Sequence, residues 1–156
     1  MSTVSVGRKV PAFSAPATGP KNPWKLSDAL GNPLVIYFYP KDMTSGCTRE
    51  AQDFRDLYPQ FRKAKVQIVG VSRDSLASHE KFKQKEKLPF ELLSDEDEKV
   101  CKLFDVIHEK SLYGRKFMGV VRSTFLIDAK GVLRQEWRKV KVEGHAEEVL
   151  EAAKSL

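Results

Sequence analysis

Apolar residues along the chain form two short continuous runs, each bounded by polar residues or turn formers. Leu34–Tyr39 (LVIYFY) is rich in residues that favour strands, and Pro40 closes it. Val66–Val71 (VQIVGV) has the same character. Runs of this length without a polar face are typical of strands buried on both sides of a sheet. We therefore predict two central strands at these positions.

Four segments show helical patterns of apolar and charged residues. Residues 46–63 form the longest, and Pro59 predicts a kink or a break within it. Residues 75–87 and 144–156 are also amphipathic. A shorter helix is predicted from Ser94 to about Phe104, because four acidic residues directly follow Ser94 and acids stabilise a helix start.

The remaining segments favour extended structure and turns. Residues 10–32 are rich in proline and glycine, so we expect turns and short edge strands rather than helix, folded onto the core as an N-terminal extension. Residues 88–93 are predicted to form a short strand or an extended segment. Residues 124–127 and 132–137 flank a turn that ends at Gly131, which predicts a β-hairpin.

The order of these elements is strand, helix, strand, helix, hairpin and final helix. It predicts an α/β chain with a thioredoxin-like fold, in which helices flank a central mixed sheet. The first two strands should be parallel through a right-handed crossover, with the hairpin antiparallel to them. Because the loop after Pro40 then leaves the sheet at the edge where the hairpin strand begins, we expect Arg122 to face Cys47.

The size of the chain limits the number of domains. Its 156 residues, 41% of them hydrophobic, suffice for the core of one domain and are few for two, so we predict a single domain over residues 1–156. Apolar runs are far shorter than the roughly 20 residues of a membrane-spanning helix, and residues 1–5 lack the features of a signal peptide. We expect a cytoplasmic protein with no membrane partner.

The formal charge of +6 raises the question of a nucleic-acid partner. Basic and acidic residues are interleaved along most of the chain, and only residues 134–141 form a compact basic stretch. A solvated strand and loop is the favoured interpretation, weak attraction to acidic partners is the alternative, and no nucleic-acid binding is expected. His79, His108 and His145 share no ligand spacing, so we predict no metal and no bound cofactor.

The loop that leaves the first central strand places Cys47 in or next to the first turn of the long helix. A thiol attacks as its thiolate, which the positive end of a helix and a nearby guanidinium such as Arg122 both favour. The Thr44 hydroxyl and the backbone N–H groups of Gly46 and Cys47 could bind the oxygens of a substrate. Pro40 should fix the loop exit and shield the sulfur from water.

Residues 38–51 (FYPKDMTSGCTREA) resemble the active-site segment of peroxiredoxins, above all the bacterioferritin-comigratory or Q-type branch. Residues 90–95 and 122–128 fit the same branch, so the resemblance covers nearly the whole chain. It implies an antioxidant thiol peroxidase that reduces hydrogen peroxide and organic hydroperoxides to water or alcohol. Cys47 would be the peroxidatic cysteine, which becomes a sulfenic acid. The residues that would support it are Pro40, Thr44 and Arg122.

Two positions depart from this branch. Ser45 stands where the branch usually has proline, which loosens the loop, and we expect activity to survive. Gln52 stands where many members carry the resolving cysteine, so the sulfenic acid has no thiol partner in its own helix. Glu50 could either pair with an arginine near the site or be an exposed first-turn acid.

Cys101 is the remaining thiol. On its short predicted helix the favoured interpretation is a buried small hydrophobe, and a resolving cysteine is the alternative. We therefore predict a one-cysteine cycle in which thioredoxin, glutaredoxin or glutathione re-reduces Cys47. Members of the branch are often monomeric, so a monomer is expected, with a dimer as the alternative.

Two other functions are compatible with the predicted fold. A thiol–disulfide oxidoreductase is disfavoured because residues 46–50 contain one cysteine and no Cys-x-x-Cys motif. A non-catalytic thioredoxin-like binding module that uses the positive charge is disfavoured because the chain has one short basic stretch and no recognised nucleic-acid motif.

Overall fold

The structure is a computed structural model that describes residues 4–156. Residues 1–3, part of the segment examined for a signal peptide, lie outside the described residues. In chain order the elements are β1 (Ser14–Ala15), β2 (Trp24–Lys25), α1 (Leu26–Ala29), β3 (Leu34–Phe38), α2 (Ser45–Lys63), β4 (Gln67–Ser72), α3 (Leu76–Glu86), β5 (Glu91–Ser94), α4 (Lys99–Leu103), β6 (Ile107–Leu112), β7 (Arg115–Val120), β8 (Ser123–Ile127), β9 (Leu133–Arg138) and α5 (His145–Lys154).

The central sheet has five strands in the order β5-β4-β3-β8-β9. Strand β3 pairs in parallel with β4 and antiparallel with β8, and β8 and β9 form the predicted hairpin. Gly131 in the hairpin turn has a φ of 87°, a conformation that glycine adopts without steric cost. The prediction of an α/β fold with a mixed sheet and these strand directions is confirmed.

The alternation of side chains along β3 divides the interior into two cores. Leu34, Ile36 and Phe38 belong to a core that also contains residues of α1, α4 and the N-terminal arm, and we call it the α4-side core. Val35 and Tyr37 point the other way, into a core formed with α2, α3 and α5, which we call the α2-side core. Helices therefore cover both faces of the sheet.

Two predicted helix features are wrong, and a third is settled only in part. Helix α2 continues through Pro59 to Lys63, so of the kink or break predicted at Pro59 the break does not occur. The N-terminal arm has the predicted short strands β1 and β2, but it also contains the four-residue helix α1. Ser94 ends strand β5 instead of starting a helix, and α4 begins only at Lys99. Asp95 nevertheless stabilises the start of α4, because its carboxylate accepts hydrogen bonds from the N–H groups of Val100 and Cys101.

The antiparallel pair β6–β7, between residues 107 and 120, has no counterpart in the sequence prediction. Its residues are mostly exposed, so they lack the apolar pattern by which a half-buried strand is recognised. Residues 134–141 form part of β9 and the loop after it, in keeping with the favoured interpretation of that basic stretch. Among residues 4–156, no helix has the length and apolar character required to cross a membrane.

Candidate active site

The first turn of α2 positions Cys47. Thr44 is the N-cap residue with φ −86° and ψ 156°, and Thr48 N–H donates to the Thr44 carbonyl at 2.9 Å. Cys47 is the third residue of the helix, so its backbone N–H and that of Gly46 belong to the first turn, where a helix leaves its N–H groups without intrahelical acceptors. The Thr44 side chain makes no capping bond to them. The Cys47 side chain is 2% exposed and packs in the α2-side core.

Arg122 faces Cys47, as the strand order predicts. Phe38 at the end of β3 pairs with Ser123 at the start of β8, so Arg122 lies beside the loop that leaves β3. Its Nη2 donates to the Cys47 Sγ at 3.3 Å. A Cβ atom at Gly46 would lie 3.3 Å from the same Nη2, tighter than ordinary contact, so glycine at this position leaves room for the guanidinium.

Glu50 is the third ionisable group of the site, after Cys47 and Arg122. Arg122 Nη1 donates to Glu50 Oε1 at 2.6 Å, and the Glu50 side chain is almost fully buried. Burial raises the pKa of Glu50 to about 7, against the opposing effect of Arg122. Of the two environments that the sequence left open for Glu50, the structure selects the pairing with arginine.

The charge on Arg122 is supported by its two partners. Burial lowers the pKa of the guanidinium, but Glu50 and Cys47 raise it more, so that the net pKa lies above the ordinary value. Lys110 of β6 is a further cation near the Arg122 guanidinium. Burial lowers the pKa of Lys110, and the positive charge of Arg122 lowers it further. Sequence reasoning missed Lys110 because the β6–β7 pair was not predicted.

Thr44 and Pro40 belong to the loop between β3 and α2. The Thr44 hydroxyl donates to the Lys41 carbonyl at 2.8 Å. Its proton is used in this bond, and its oxygen lone pairs can accept a hydrogen bond from another donor. Pro40 is the second residue after β3 and is half-buried. Met43, between them, has a φ of 64°, an uncommon conformation for a residue with a side chain. The loop therefore has a defined backbone shape next to Cys47.

Two buried oxygens close to this site have no hydrogen-bond partner among the described residues. They are Glu50 Oε2 and the hydroxyl of Tyr37 on β3. Burial raises the pKa of Tyr37, and the negative charges of Glu50 and Cys47 raise it further. Tyr37 therefore stays neutral, with a buried hydroxyl.

The structure brings His79 together with two aspartates, which no spacing in the sequence indicated. One possible ligand atom from each of Asp42, Asp74 and His79 lies within 4.8 Å of the others, a geometry that could hold a metal ion. The same atoms are paired within the protein: His79 Nδ1 with Asp42 Oδ2 at 2.8 Å, and Asp74 Oδ2 with the N–H of Asp42 at 2.9 Å. These contacts form a hydrogen-bonded network beneath the active-site loop.

Cys101 and Gln52 differ in their position relative to Cys47. Cys101 is fully buried in the α4-side core, on the opposite face of the sheet, and burial followed by the nearby Asp95 raises its pKa strongly. Gln52 lies five residues beyond Cys47 in the same helix and donates to Glu86 Oε1 at 2.8 Å, so it joins α2 to α3. Among the described residues, the Arg122 guanidinium donates hydrogen bonds to Cys47 and Glu50, and not to Cys101 or Gln52.

Comparisons with known proteins show the family of this chain. The model of the AhpC/TSA family matches residues 6–136. The chain is 47% identical over 154 residues to the peroxiredoxin Bcp of Bacillus subtilis, covering 99% of this chain and 98% of that protein. It is 55% identical over 125 residues to the peroxiredoxin Bcp of Xanthomonas campestris, covering 80% of this chain and 78% of that protein.

Solved structures show the same relationship. Peroxiredoxin Q of Xanthomonas campestris superposes with a TM-score of 0.87 at 50% identity, over 92% of this chain and 90% of that one. A cysteine-to-serine mutant of PrxQ from Xylella fastidiosa gives a TM-score of 0.92 at 42% identity, over 99% of this chain and 98% of that one. The thioredoxin-like fold is thereby confirmed. The chain belongs to the AhpC/TSA family, within its Bcp or Q-type peroxiredoxins, and is a thiol-dependent peroxidase.

Proposed function

We propose that Cys47 is the peroxidatic nucleophile of this enzyme and that Arg122, Thr44 and the first turn of α2 bind the peroxide. The observation that carries the proposal is the 3.3 Å contact between Arg122 Nη2 and the Cys47 sulfur. A guanidinium at this distance stabilises the thiolate, and the N-terminal end of α2 adds a partial positive charge from the other side. Both positive groups are therefore in place beside the sulfur before a substrate arrives.

The reaction follows from the placement of these groups. The thiolate attacks the terminal oxygen of ROOH, the S–O bond forms and the O–O bond breaks, leaving Cys47 as a sulfenic acid and the substrate as RO⁻, which takes up a proton as ROH. The N–H groups of Gly46 and Cys47 and the free donors of Arg122 stabilise the negative charge on the departing oxygen. Thr44 accepts the hydrogen bond of the peroxide O–H, because its own proton is bound by the Lys41 carbonyl.

Hydrogen peroxide and organic hydroperoxides are the proposed substrates. A solved structure of the bacterioferritin comigratory protein from Xanthomonas campestris, 49% identical to this chain, is described as giving insights into alkyl peroxide reduction activity. The exposed Met43 beside Thr44 offers an apolar contact for an alkyl group. Stopped-flow measurement of Cys47 oxidation with hydrogen peroxide, tert-butyl hydroperoxide and cumene hydroperoxide would rank these substrates.

Re-reduction is proposed to follow a one-cysteine cycle. An external thiol attacks the sulfenic sulfur, water leaves, and a second thiol then releases Cys47 from the mixed disulfide. Support comes from Cys101, which is buried on the other face of the sheet, and from Gln52, which occupies the position in α2 where a resolving thiol would be close. Steady-state assays with thioredoxin, glutaredoxin and glutathione in parallel would identify the reductant.

The test of the nucleophile is a comparison of Cys47→Ser and Cys101→Ser with the unaltered protein. We expect Cys47→Ser to abolish peroxide consumption and Cys101→Ser to retain it. Peroxide consumption by Cys47→Ser at the unaltered rate would refute the role given to Cys47.

A further inference from the structure

The active-site loop is attached to the rest of the protein through the buried carboxylate of Asp42. Its Oδ1 accepts from the Tyr39 hydroxyl at 2.6 Å, and its Oδ2 accepts from the Ser78 hydroxyl at 2.8 Å. Its backbone N–H donates to Asp74 Oδ2 at 2.9 Å. The fourth partner is His79, whose Nδ1 lies 2.8 Å from Oδ2. Asp42 therefore joins the loop to the end of β3 and to the start of α3.

The hydrogen-bond partners of His79 define its protons. Its Nε2 lies 2.9 Å from the carbonyl oxygen of Leu93, which only accepts, so Nε2 carries a proton. Its Nδ1 faces a carboxylate oxygen, so a second proton lies between Nδ1 and Asp42 Oδ2. The His79 ring is fully buried, so this contact is shielded from water.

The loop transmits this contact to Thr44. Asp42 lies between Lys41, whose carbonyl receives the Thr44 hydroxyl proton, and Met43, whose φ is 64°. A backbone held in such a sparsely populated conformation persists when surrounding contacts determine it. The bonds to Asp42 are contacts of this kind, and they lie next to the Lys41 carbonyl that accepts from the Thr44 hydroxyl.

We propose that His79 is a positioning residue of the peroxidase reaction, which acts through Asp42 to aim the Thr44 hydroxyl at the bound peroxide. The proposal rests on the function given to Cys47 and Thr44 above. The geometry favours it over a metal site because the ligand atoms of Asp42, Asp74 and His79 already bind one another or neighbouring groups. His79 itself is hydrogen-bonded to Asp42 and to the Leu93 carbonyl, so it acts on the reaction through Asp42 and not by contact with the peroxide.

Two substitutions separate the two bonds of His79. An asparagine side chain can place its amide nitrogen near the position of Nδ1 and keep the bond to Asp42, whereas a glutamine side chain reaches the position of Nε2 and keeps the bond to Leu93. We expect His79→Gln to slow Cys47 oxidation by hydrogen peroxide by about 10- to 100-fold, because a small misplacement of a positioning group has an effect of this size. His79→Asn should remain within about 5-fold of the unaltered rate.

Alkylation of Cys47 by iodoacetamide provides the second readout, since it needs the thiolate but no peroxide oriented by Thr44. We expect both His79 variants to be alkylated within about 3-fold of the unaltered rate. His108→Asn and His108→Gln, at an exposed position on β6, are the matched controls and should not differ from each other. Unaltered oxidation in His79→Gln, equal losses in the two His79 variants, or alkylation that falls in parallel with oxidation would each overturn the proposal.

Circular dichroism and thermal unfolding check that each variant is folded. If His79→Gln does not fold, Ser78→Ala decides, because it removes one hydroxyl donor to Asp42 Oδ2 at a partly exposed position. We expect about 3-fold slower oxidation with unchanged alkylation, and an unchanged oxidation rate overturns the proposal. Cys47→Ser is measured alongside: if it consumes peroxide at the unaltered rate, the proposed function fails, whatever the His79 variants do.

Discussion

Cys47 and Cys101 lie on opposite faces of the central sheet. Cys47 packs in the α2-side core with Tyr37, whereas Cys101 packs in the α4-side core with Phe38, the next residue of the same strand. A disulfide requires Cα atoms within about 7 Å, and a layer packed on one face of a sheet lies about 10 Å from it. A bond between the two cysteines would require one of their helices to leave the sheet.

This separation predicts the outcome of one turnover without a reductant. After one equivalent of hydrogen peroxide, we expect a sulfenic acid on Cys47 that dimedone traps, with Cys101 unmodified in the same protein. Cys101→Ala should leave the oxidation rate of Cys47 within about 2-fold and lower the free energy of unfolding by about 1 kcal/mol, because only a small buried group is removed. Mass spectrometry that finds a Cys47–Cys101 disulfide would contradict the one-cysteine cycle.

Replacement of Arg122 by lysine should lower the second-order rate constant with peroxide by about 100-fold. The guanidinium donates to Cys47 and Glu50 at the same time through two nitrogens, and a lysine ammonium cannot reproduce that planar fork. Arg134→Lys, at a half-exposed ion pair on β9, is the control and should have little effect. A stopped-flow rate for Arg122→Lys equal to the unaltered rate would show that the bridging geometry is unimportant.

Glu50 should make the stability of the protein depend on pH. Its pKa is raised from 4.5 to about 7 by burial, so the stabilising form is the protonated one. Below about pH 4.5 folded and unfolded chains both hold this proton. As the pH rises toward 7 the unfolded chain loses it first, so the free energy of unfolding falls, by on the order of 2–3 kcal/mol in total, and the fall is complete above about pH 7.

Glu50→Gln tests this dependence, because glutamine resembles the protonated carboxyl at every pH. We expect the variant and the unaltered protein to have similar free energies of unfolding near pH 4.5, with the variant gaining an advantage as the pH approaches 7.5. Urea unfolding at several pH values measures the difference. The exposed Glu147→Gln should leave the dependence in place, and parallel curves for Glu50→Gln and the unaltered protein would contradict the prediction.

Ser45→Pro should stabilise the protein by about 0.4–1 kcal/mol and preserve peroxidase activity. Ser45 is the first residue of α2, the helical position that proline favours, and Thr44 before it has the extended backbone that a following proline requires. Ser45→Ala is the control, since it removes the hydroxyl without adding the ring. A lower melting temperature for Ser45→Pro than for Ser45→Ala would show that the loop rejects the ring.

The sequence by itself determined the features that depend on neighbours along the chain. The apolar runs at β3 and β4 and the helical pattern of α2 were sufficient to locate these elements. Burial of one face gives a periodic pattern of apolar residues, and burial of both faces gives a continuous apolar run. The same reasoning placed Cys47 at a helix start with Thr44 before it. The strand order then brought Arg122 to the correct edge of the sheet, although it is 75 residues from Cys47.

Only the tertiary structure decided contacts between segments that carry no matching pattern. Neither the pairing of Arg122 with buried Glu50 nor that of Asp42 with His79 has a signature in spacing, because each forms where separate elements converge. The exposed β6–β7 pair was not predicted because its residues lack a periodic pattern of apolar positions. Which face of the sheet holds Cys101 likewise depends on where α4 packs, and hydrophobicity alone assigns a residue to the interior without saying to which side.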